Sequence, residues 1–176
     1  MKLEQGLVQI FFGDGKGKTT AALGTAVRAL GNEMKVHLIQ FMKLKETGEI
    51  TSLKTFQNFS FKQFGAGKWY KEEDKESIAE HKKASEDALK YLKSCFDKDY
   101  DIIIADEILY AVQFSLISEN DVIKLIKDKP KEKELILTGA HKSFPNIFAL
   151  ADLITEMKKI KHPYDRGIAA RKGIEY

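Results

Sequence analysis

Short apolar runs recur along the chain, divided by glycine-rich, charged or amphipathic stretches. Residues 7–12 (LVQIFF), 35–41 (KVHLIQF), 59–64 (FSFKQF), 100–107 (YDIIIADE), 134–138 (ELILT) and 153–157 (LITEM) have the length and composition of strands. Helical periodicity fills the intervals. Residues 19–30 carry apolar positions around most of a helical circumference, which predicts a helix buried against the sheet, and Gly31 is placed to close it. Residues 72–96 bring Leu89, Leu92 and Phe96 to one face, and 51–56, 108–114, 119–127 and 145–151 read as shorter helices. This alternation predicts an α/β fold, a mainly parallel sheet flanked by helices and joined by right-handed crossovers. The pattern weakens over 42–74, where Gly65-Ala66-Gly67-Lys68-Trp69-Tyr70 reads as a flexible segment bearing two large aromatics. Residues 158–176 form a polar tail with HPYDRG at its centre.

One polar interruption has its own chemistry. Gly13-Asp14-Gly15-Lys16-Gly17-Lys18-Thr19-Thr20 lies between the first strand and the first helix, the context a phosphate-binding loop requires. Glycines let successive N–H groups converge on an anion, and the helix N-terminus adds its own free N–H groups. Lys18 then reaches the outer phosphates, and the Thr19 hydroxyl can take a place on Mg²⁺. The usual pattern G-x-x-x-x-G-K-[ST] calls for its first glycine at position 12, where this chain has Phe12. The front of the loop is therefore built differently.

A second polar signal closes the fourth strand, at Asp106-Glu107. An apolar strand ending in two carboxylates at the sheet's C-terminal edge supplies the acidic element of a phosphate-loop protein. One carboxylate positions the Mg²⁺ shell; the other binds metal or polarises water. The end of the second strand, Gln40-Phe41, is expected at the same edge.

Composition narrows the setting. The 176 residues suit one domain, 1–176, and their 43% hydrophobic content suffices for a sizeable core. Lysine and arginine exceed aspartate and glutamate by 29 to 26, too mild an excess to argue for nucleic acid. Cys95 is the one cysteine, so a disulfide framework is excluded and a cytoplasmic setting is expected. Residues 1–6 do not make a signal peptide, and no apolar run reaches membrane-spanning length. His37 and His81 read as structural, and Cys95 as packing.

Four blocks together resemble the ATP:corrinoid adenosyltransferases of the P-loop type. They are GDGKGKTTAALGTAVRA (13–29), VHLIQF (36–41), DIIIADEILYA (101–111), and LILTG with ADLITEMKKIKHPYDRGIAARKGIE (135–139 and 151–175). The last is the most specific, because a generic ATPase has no need of it. The resemblance runs nearly end to end and is weakest over 42–98.

The resemblance implies a RecA-type P-loop NTPase fold and transfer of the 5′-deoxyadenosyl group of ATP to the cobalt(I) of a corrinoid. It implies Mg²⁺ as cofactor, ATP and a reduced corrinoid as substrates, an electron-donating reductase as partner and a homodimer. It makes Glu107 the second metal anchor ahead of Asp106, places His162 near the nucleotide or metal, and places Trp69 beneath the corrin macrocycle. Three departures stand out. Gly67 replaces a Phe two residues before that Trp, leaving Phe64 or Tyr70 to substitute. Ala140-His141 replaces an Arg after LILTG. Residues 1–6 are too short to cover the corrinoid, a role a neighbouring subunit can take. GKTT and ADE alone also fit a phosphoryl-transfer ATPase or kinase, but Arg28, Arg166 and Arg171 are the only arginines and none sits as a finger. A non-enzymatic ATP-gated corrinoid carrier fits the same residues; the phosphate product separates the three.

Overall fold

The computed structural model describes residues 3–66, 70 and 73–176. Trp69 and Gly67 lie outside the described residues. One sheet organises the rest. Its strands are β1 (Val8–Phe12), β2 (Val36–Phe41), β3 (Phe59–Phe64), β4 (Ile102–Asp106), β5 (Glu134–Thr138) and β6 (Leu153–Glu156). They run in the order β3-β2-β4-β5-β1-β6, and every neighbouring pair is parallel.

Alternating side chains explain why the inner strands read as unbroken apolar runs. Ile10, Ile39, Phe41, Ile103, Ala105, Leu135 and Leu137 pack on one face, under α3 (Lys75–Cys95), α4 (Ile108–Gln113), α5 (Glu119–Lys127) and α6 (Pro145–Phe148). Phe11, Val36, Leu38, Ile102, Ile104 and Ile136 pack on the other, under α1 (Lys18–Leu30) and α2 (Gly48–Leu53). A sheet covered on both faces needs no polar side, and each fully buried Ile or Leu contributes about 1.5–3 kcal/mol.

Helix boundaries moved where capping decided them. The Asp74 side chain accepts from Glu76 N and Ser77 N, so α3 begins at Lys75 rather than 72. Its buried stripe starts earlier than Leu89, taking in Ser77, His81, Ser85 and Ala88. Helix α2 sits three residues upstream of its expected start, turning Ile50 and Leu53 inward. Helix α1 buries one face only: Ala22, Leu23, Ala26, Ala29 and Leu30 are inside, whereas Gly24, Val27 and Arg28 stay exposed. The circumference is apolar because small residues occupy it, not because it is all covered. Residues 158–176 contain a single 3-10 turn, Pro163–Arg166.

Four strands leave the sheet's C-terminal edge through left-handed backbone: Gly13 after β1, Met42 after β2, Glu107 after β4, and Gly139-Ala140 after β5. Such a turn reverses the chain within one residue and aims the next side chains over the edge. For a non-glycine residue it costs roughly 1–2 kcal/mol, and it recurs at functional sites.

Candidate nucleotide and metal site

The loop begins where β1 runs out. Phe12 is the last strand residue, paired beside Glu156 of β6, with its ring edge-on to Phe148 at 4.7 Å. A glycine here would forfeit that packing. The curl starts one residue later, at Gly13 (φ 113°), whose N–H donates to Ala140 O.

The exit of β6 presses on the loop from below. Gly15 N donates to Met157 O at 2.6 Å, and a Cβ added at Gly15 would lie 2.6 Å from that same oxygen. At Gly13 it would lie 2.4 Å from it. These two glycines are imposed by close approach of backbone. The tail then fastens the outer side: Lys159 N donates to Asp14 Oδ1, and Lys16 Nζ reaches Ile174 O and Glu175 Oε1. The bond from Lys159 N holds the Asp14 carboxyl below its usual range.

Gly17 (φ 121°) caps α1, which has no acidic residue in its first turn, so its N-terminal field is left for an anion. Lys18 Nζ lies within the loop, donating to Gly13 O and Gly15 O at 2.7 and 2.9 Å, and burial lowers its pKa. It also stands 5.9 Å from the centre of the Tyr110 ring. Thr19 Oγ1 donates to Asp106 Oδ1 at 2.7 Å; Thr20 is exposed.

Asp106 is fully buried and accepts from four side chains: Thr19 and Thr138 on Oδ1, Gln40 and Lys43 on Oδ2. Burial alone would raise its pKa, but Lys43 and these donors outweigh it and hold the carboxyl low. A carboxylate has about four acceptor positions, so Asp106 is saturated. Glu107 differs. Its left-handed turn (φ 66°) swings the side chain off the strand line; Oε1 lies 3.6 Å from Lys43 Nζ, and Oε2 is buried with no hydrogen-bond partner among the described residues. Burial, then the neighbouring Asp106 charge, pushes its pKa up to about 7.

This division tests the fit of a magnesium ion. Mg²⁺ takes oxygen ligands, and the buried, unpartnered Glu107 Oε2 and the Thr19 hydroxyl have lone pairs to give. Asp106 has none left and is suited to orienting Thr19 from behind. The residues fit.

Lys43 was missed by the sequence reading, although it follows the Gln40-Phe41 strand end that was expected at this edge. The other unforeseen group is aromatic. Tyr110 stacks with Phe114 at 5.8 Å, Phe114 with Tyr70 at 4.7 Å, and His141 stands edge-on to Tyr110 at 5.1 Å. This ladder joins the residue next to Trp69 with the loop lysine. Ala140, directly after LILTG where an arginine was expected, is buried in left-handed backbone (φ 61°), and the main-chain N–H of the next residue, His141, donates to Gln113 Oε1. His162 caps the 3-10 turn of the tail, its Nδ1 accepting from Tyr164 N. His37 and Cys95 are buried in the core.

Residues 4–176 match the family model described as ATP:corrinoid adenosyltransferase BtuR/CobO/CobP. The chain is 32% identical over 176 residues to a corrinoid adenosyltransferase of Escherichia coli (strain K12), covering 98% of this chain and 87% of that protein. It is 31% identical over 182 residues to the corrinoid adenosyltransferase CobA of Salmonella typhimurium, with the same coverages of 98% and 87%. Among solved structures, flagellar accessory protein FlaH from Methanocaldococcus jannaschii superposes with a TM-score of 0.56 at 14% identity, over 89% of this chain and 72% of that one. That likeness is one of fold alone. By the match along nearly its whole length, the chain belongs to the ATP:corrinoid adenosyltransferase family.

Proposed function

We propose that the protein transfers the 5′-deoxyadenosyl group of ATP to the cobalt(I) of a corrinoid at the loop just described, releasing triphosphate. The observation that carries this reading is the joining of a phosphate loop to the acidic strand through Thr19 and Asp106, in a chain of this family. The cobalt(I) lone pair attacks ribose C5′; a cobalt–carbon bond forms, the C5′–O bond breaks, and its electron pair leaves on the triphosphate oxygen. No proton moves, so no general base is needed.

The chain's own task is to orient C5′ and to stabilise charge on the leaving group. Lys18 leaves the loop carbonyls for the triphosphate; Gly13 and Gly15 shape the loop, their own N–H groups being held by Ala140 O and Met157 O, and the amides of Asp14, Lys16, Gly17 and Thr20 line the cradle. Thr19 and Glu107 hold Mg²⁺, with Asp106 fixing Thr19. When bound, the ion supplies positive charge to the triphosphate oxygens. His162 serves the nucleotide side through the tail that Lys16 and Asp14 already anchor. The RecA-type assignment is supported by β5 lying between the phosphate-loop strand and the acidic strand.

Trp69 is proposed as the aromatic beneath the macrocycle, with neighbouring Tyr70 anchored on Phe114. Exposed Leu153 and Ile154 on edge strand β6 support a homodimer, whose second copy would close the corrinoid site. Among the described residues no helix is long and apolar enough to cross a membrane, and a cytoplasmic location with a reductase partner completes the proposal. The test is incubation with ATP, Mg²⁺ and chemically reduced corrinoid. Formation of the cobalt–carbon absorption spectrum with equimolar triphosphate is expected; orthophosphate as the product would sink the reading.

A further inference from the structure

The Lys43 ammonium lies between the two carboxylates of the acidic strand end. Its Nζ donates to Asp106 Oδ2 at 2.8 Å and stands 3.6 Å from Glu107 Oε1, with the side chain 30% exposed. This is no free surface lysine. Met42 turns the chain out of β2 through left-handed backbone (φ 57°), and Gly65 backs onto the next residue so closely that a Cβ there would meet Lys43 N, C and O at 3.0 Å. Gln40, from the same strand end, shares the Asp106 oxygen at 2.9 Å and is braced in turn by Gln63. The ammonium is therefore delivered to one place by rigid backbone. That place adjoins Glu107, whose second oxygen has no partner among the described residues.

Resting on the metal assignment above, we propose that Lys43 is a positioning residue that holds the cation place between Asp106 and Glu107 until ATP and its magnesium arrive together, and then turns to the triphosphate. A hydrogen-bonded, largely desolvated ammonium on two carboxylates is a strong competitor for a lone divalent ion. Displacing it without giving it a new partner leaves a cation beside the incoming cation. A polyanionic triphosphate removes that obstacle, because the released ammonium can pair with it. The consequence is an order of loading, in which the metal enters with the nucleotide and not before it.

The probe is Mn²⁺ in the absence of nucleotide, followed by electron paramagnetic resonance of the free ion. Wild-type protein is expected to bind it weakly, and Lys43→Met about ten-fold more tightly or better, since one like charge beside the ion is gone. A second measurement uses the unaltered chain with ¹⁵N-labelled lysine, the Lys43 ammonium signal being assigned from Lys43→Arg. That signal is expected to hold still with Mg²⁺ alone and to shift with Mg²⁺ plus ATP. Equal Mn²⁺ affinity in wild type and folded Lys43→Met, or movement of the signal with Mg²⁺ alone, overturns the inference; the second arm decides if Lys43→Met does not fold. Undiminished Mn²⁺–ATP affinity in Glu107→Gln overturns the metal assignment and this inference with it. An adverse Lys43 result beside a weakened Glu107→Gln overturns this inference only.

Discussion

The Thr19 hydroxyl donates to Asp106 Oδ1 at 2.7 Å, tying the first turn of α1 to the end of β4. The bond separates the two carboxylates by task, and substitution should separate them too. Asp106→Asn puts an amide among four donors and takes from the Lys43 ammonium its hydrogen-bonded carboxylate, leaving only Glu107 Oε1 at 3.6 Å. Because Lys43 keeps 30% exposure, the loss of stability is placed at the low end for a broken buried pair, about 3 kcal/mol. Glu107→Gln disturbs no saturated network, so stability should stay within about 1 kcal/mol while the Mg²⁺ midpoint for activity rises. Urea unfolding and a Mg²⁺ titration check the pair. A stable Asp106→Asn or an unmoved midpoint in Glu107→Gln would reverse or cancel the assignment.

Lys18→Ala should lower turnover by roughly 10²–10³-fold with the fold intact, the cost of losing one well-placed charge-stabilising donor. Its present partners, Gly13 O and Gly15 O, belong to buried glycines whose own N–H groups are held by Ala140 O and Met157 O, so the loop keeps its shape when the ammonium is removed. Lys43 stands nearby, so the loss should fall toward the lower figure, and a Lys18→Ala, Lys43→Met double variant should lose more than either alone. Single-turnover rates with pre-reduced corrinoid make the comparison. Near-normal rates in Lys18→Ala would place the triphosphate elsewhere.

Most of this architecture was legible because strand periodicity is local. The runs at 59–64 and 134–138 fold as strands with those same bounds, and the GKTT and ADE blocks meet at one sheet edge. What escaped depends on backbone reversals that composition does not announce. The split between a saturated Asp106 and a half-free Glu107 follows from the left-handed turn at a glutamate, and Lys43 reaches the site only because Met42 turns likewise. The ladder from Tyr70 through Phe114 and Tyr110 to His141 joins residues far apart in sequence, so no window of periodicity contains it.

Acid should destabilise the protein through His37. Its ring is 2% exposed, stacked on Tyr100 at 4.5 Å with Nδ1 2.7 Å from Ser60 Oγ, and Nε2 has no hydrogen-bond partner among the described residues. Burial, with Lys98 and Lys62 adding to it, lowers its pKa from 6.5 to about 4. Above pH 6.5 the ring is neutral in both folded and unfolded chains and contributes no pH dependence. As pH falls from 6.5 to about 4 the unfolded chain binds a proton that the folded one refuses, so stability drops by up to roughly 3 kcal/mol, at about 1.4 kcal/mol per pH unit. Urea midpoints between pH 7 and pH 4 read this out, and His37→Phe should flatten the curve over that range. An equally steep curve in His37→Phe would move the effect to other groups.

One substitution made at two glycines should have opposite signs. Gly24 lies on the exposed face of α1, and a Cβ there meets nothing within 4 Å. Alanine at that position keeps the helix and narrows the unfolded ensemble, so Gly24→Ala should stabilise by about 0.4–1 kcal/mol. At Gly15 the same methyl group would stand 2.6 Å from Met157 O and 2.8 Å from Lys158 C. Both obstacles are main chain, so no side chain can swing aside; either the loop or the exit of β6 must move. The Gly15 N–H bond to Met157 O is then stretched, and the tail that reaches Asp14 and Lys16 shifts with it. Gly15→Ala should therefore cost about 1–3 kcal/mol, as overpacking does, and raise the KM for ATP more than it lowers kcat. Thermal midpoints with and without ATP compare the two variants. If Gly15→Ala is as stable as wild type and binds ATP normally, the contact with β6 is not what shapes the loop.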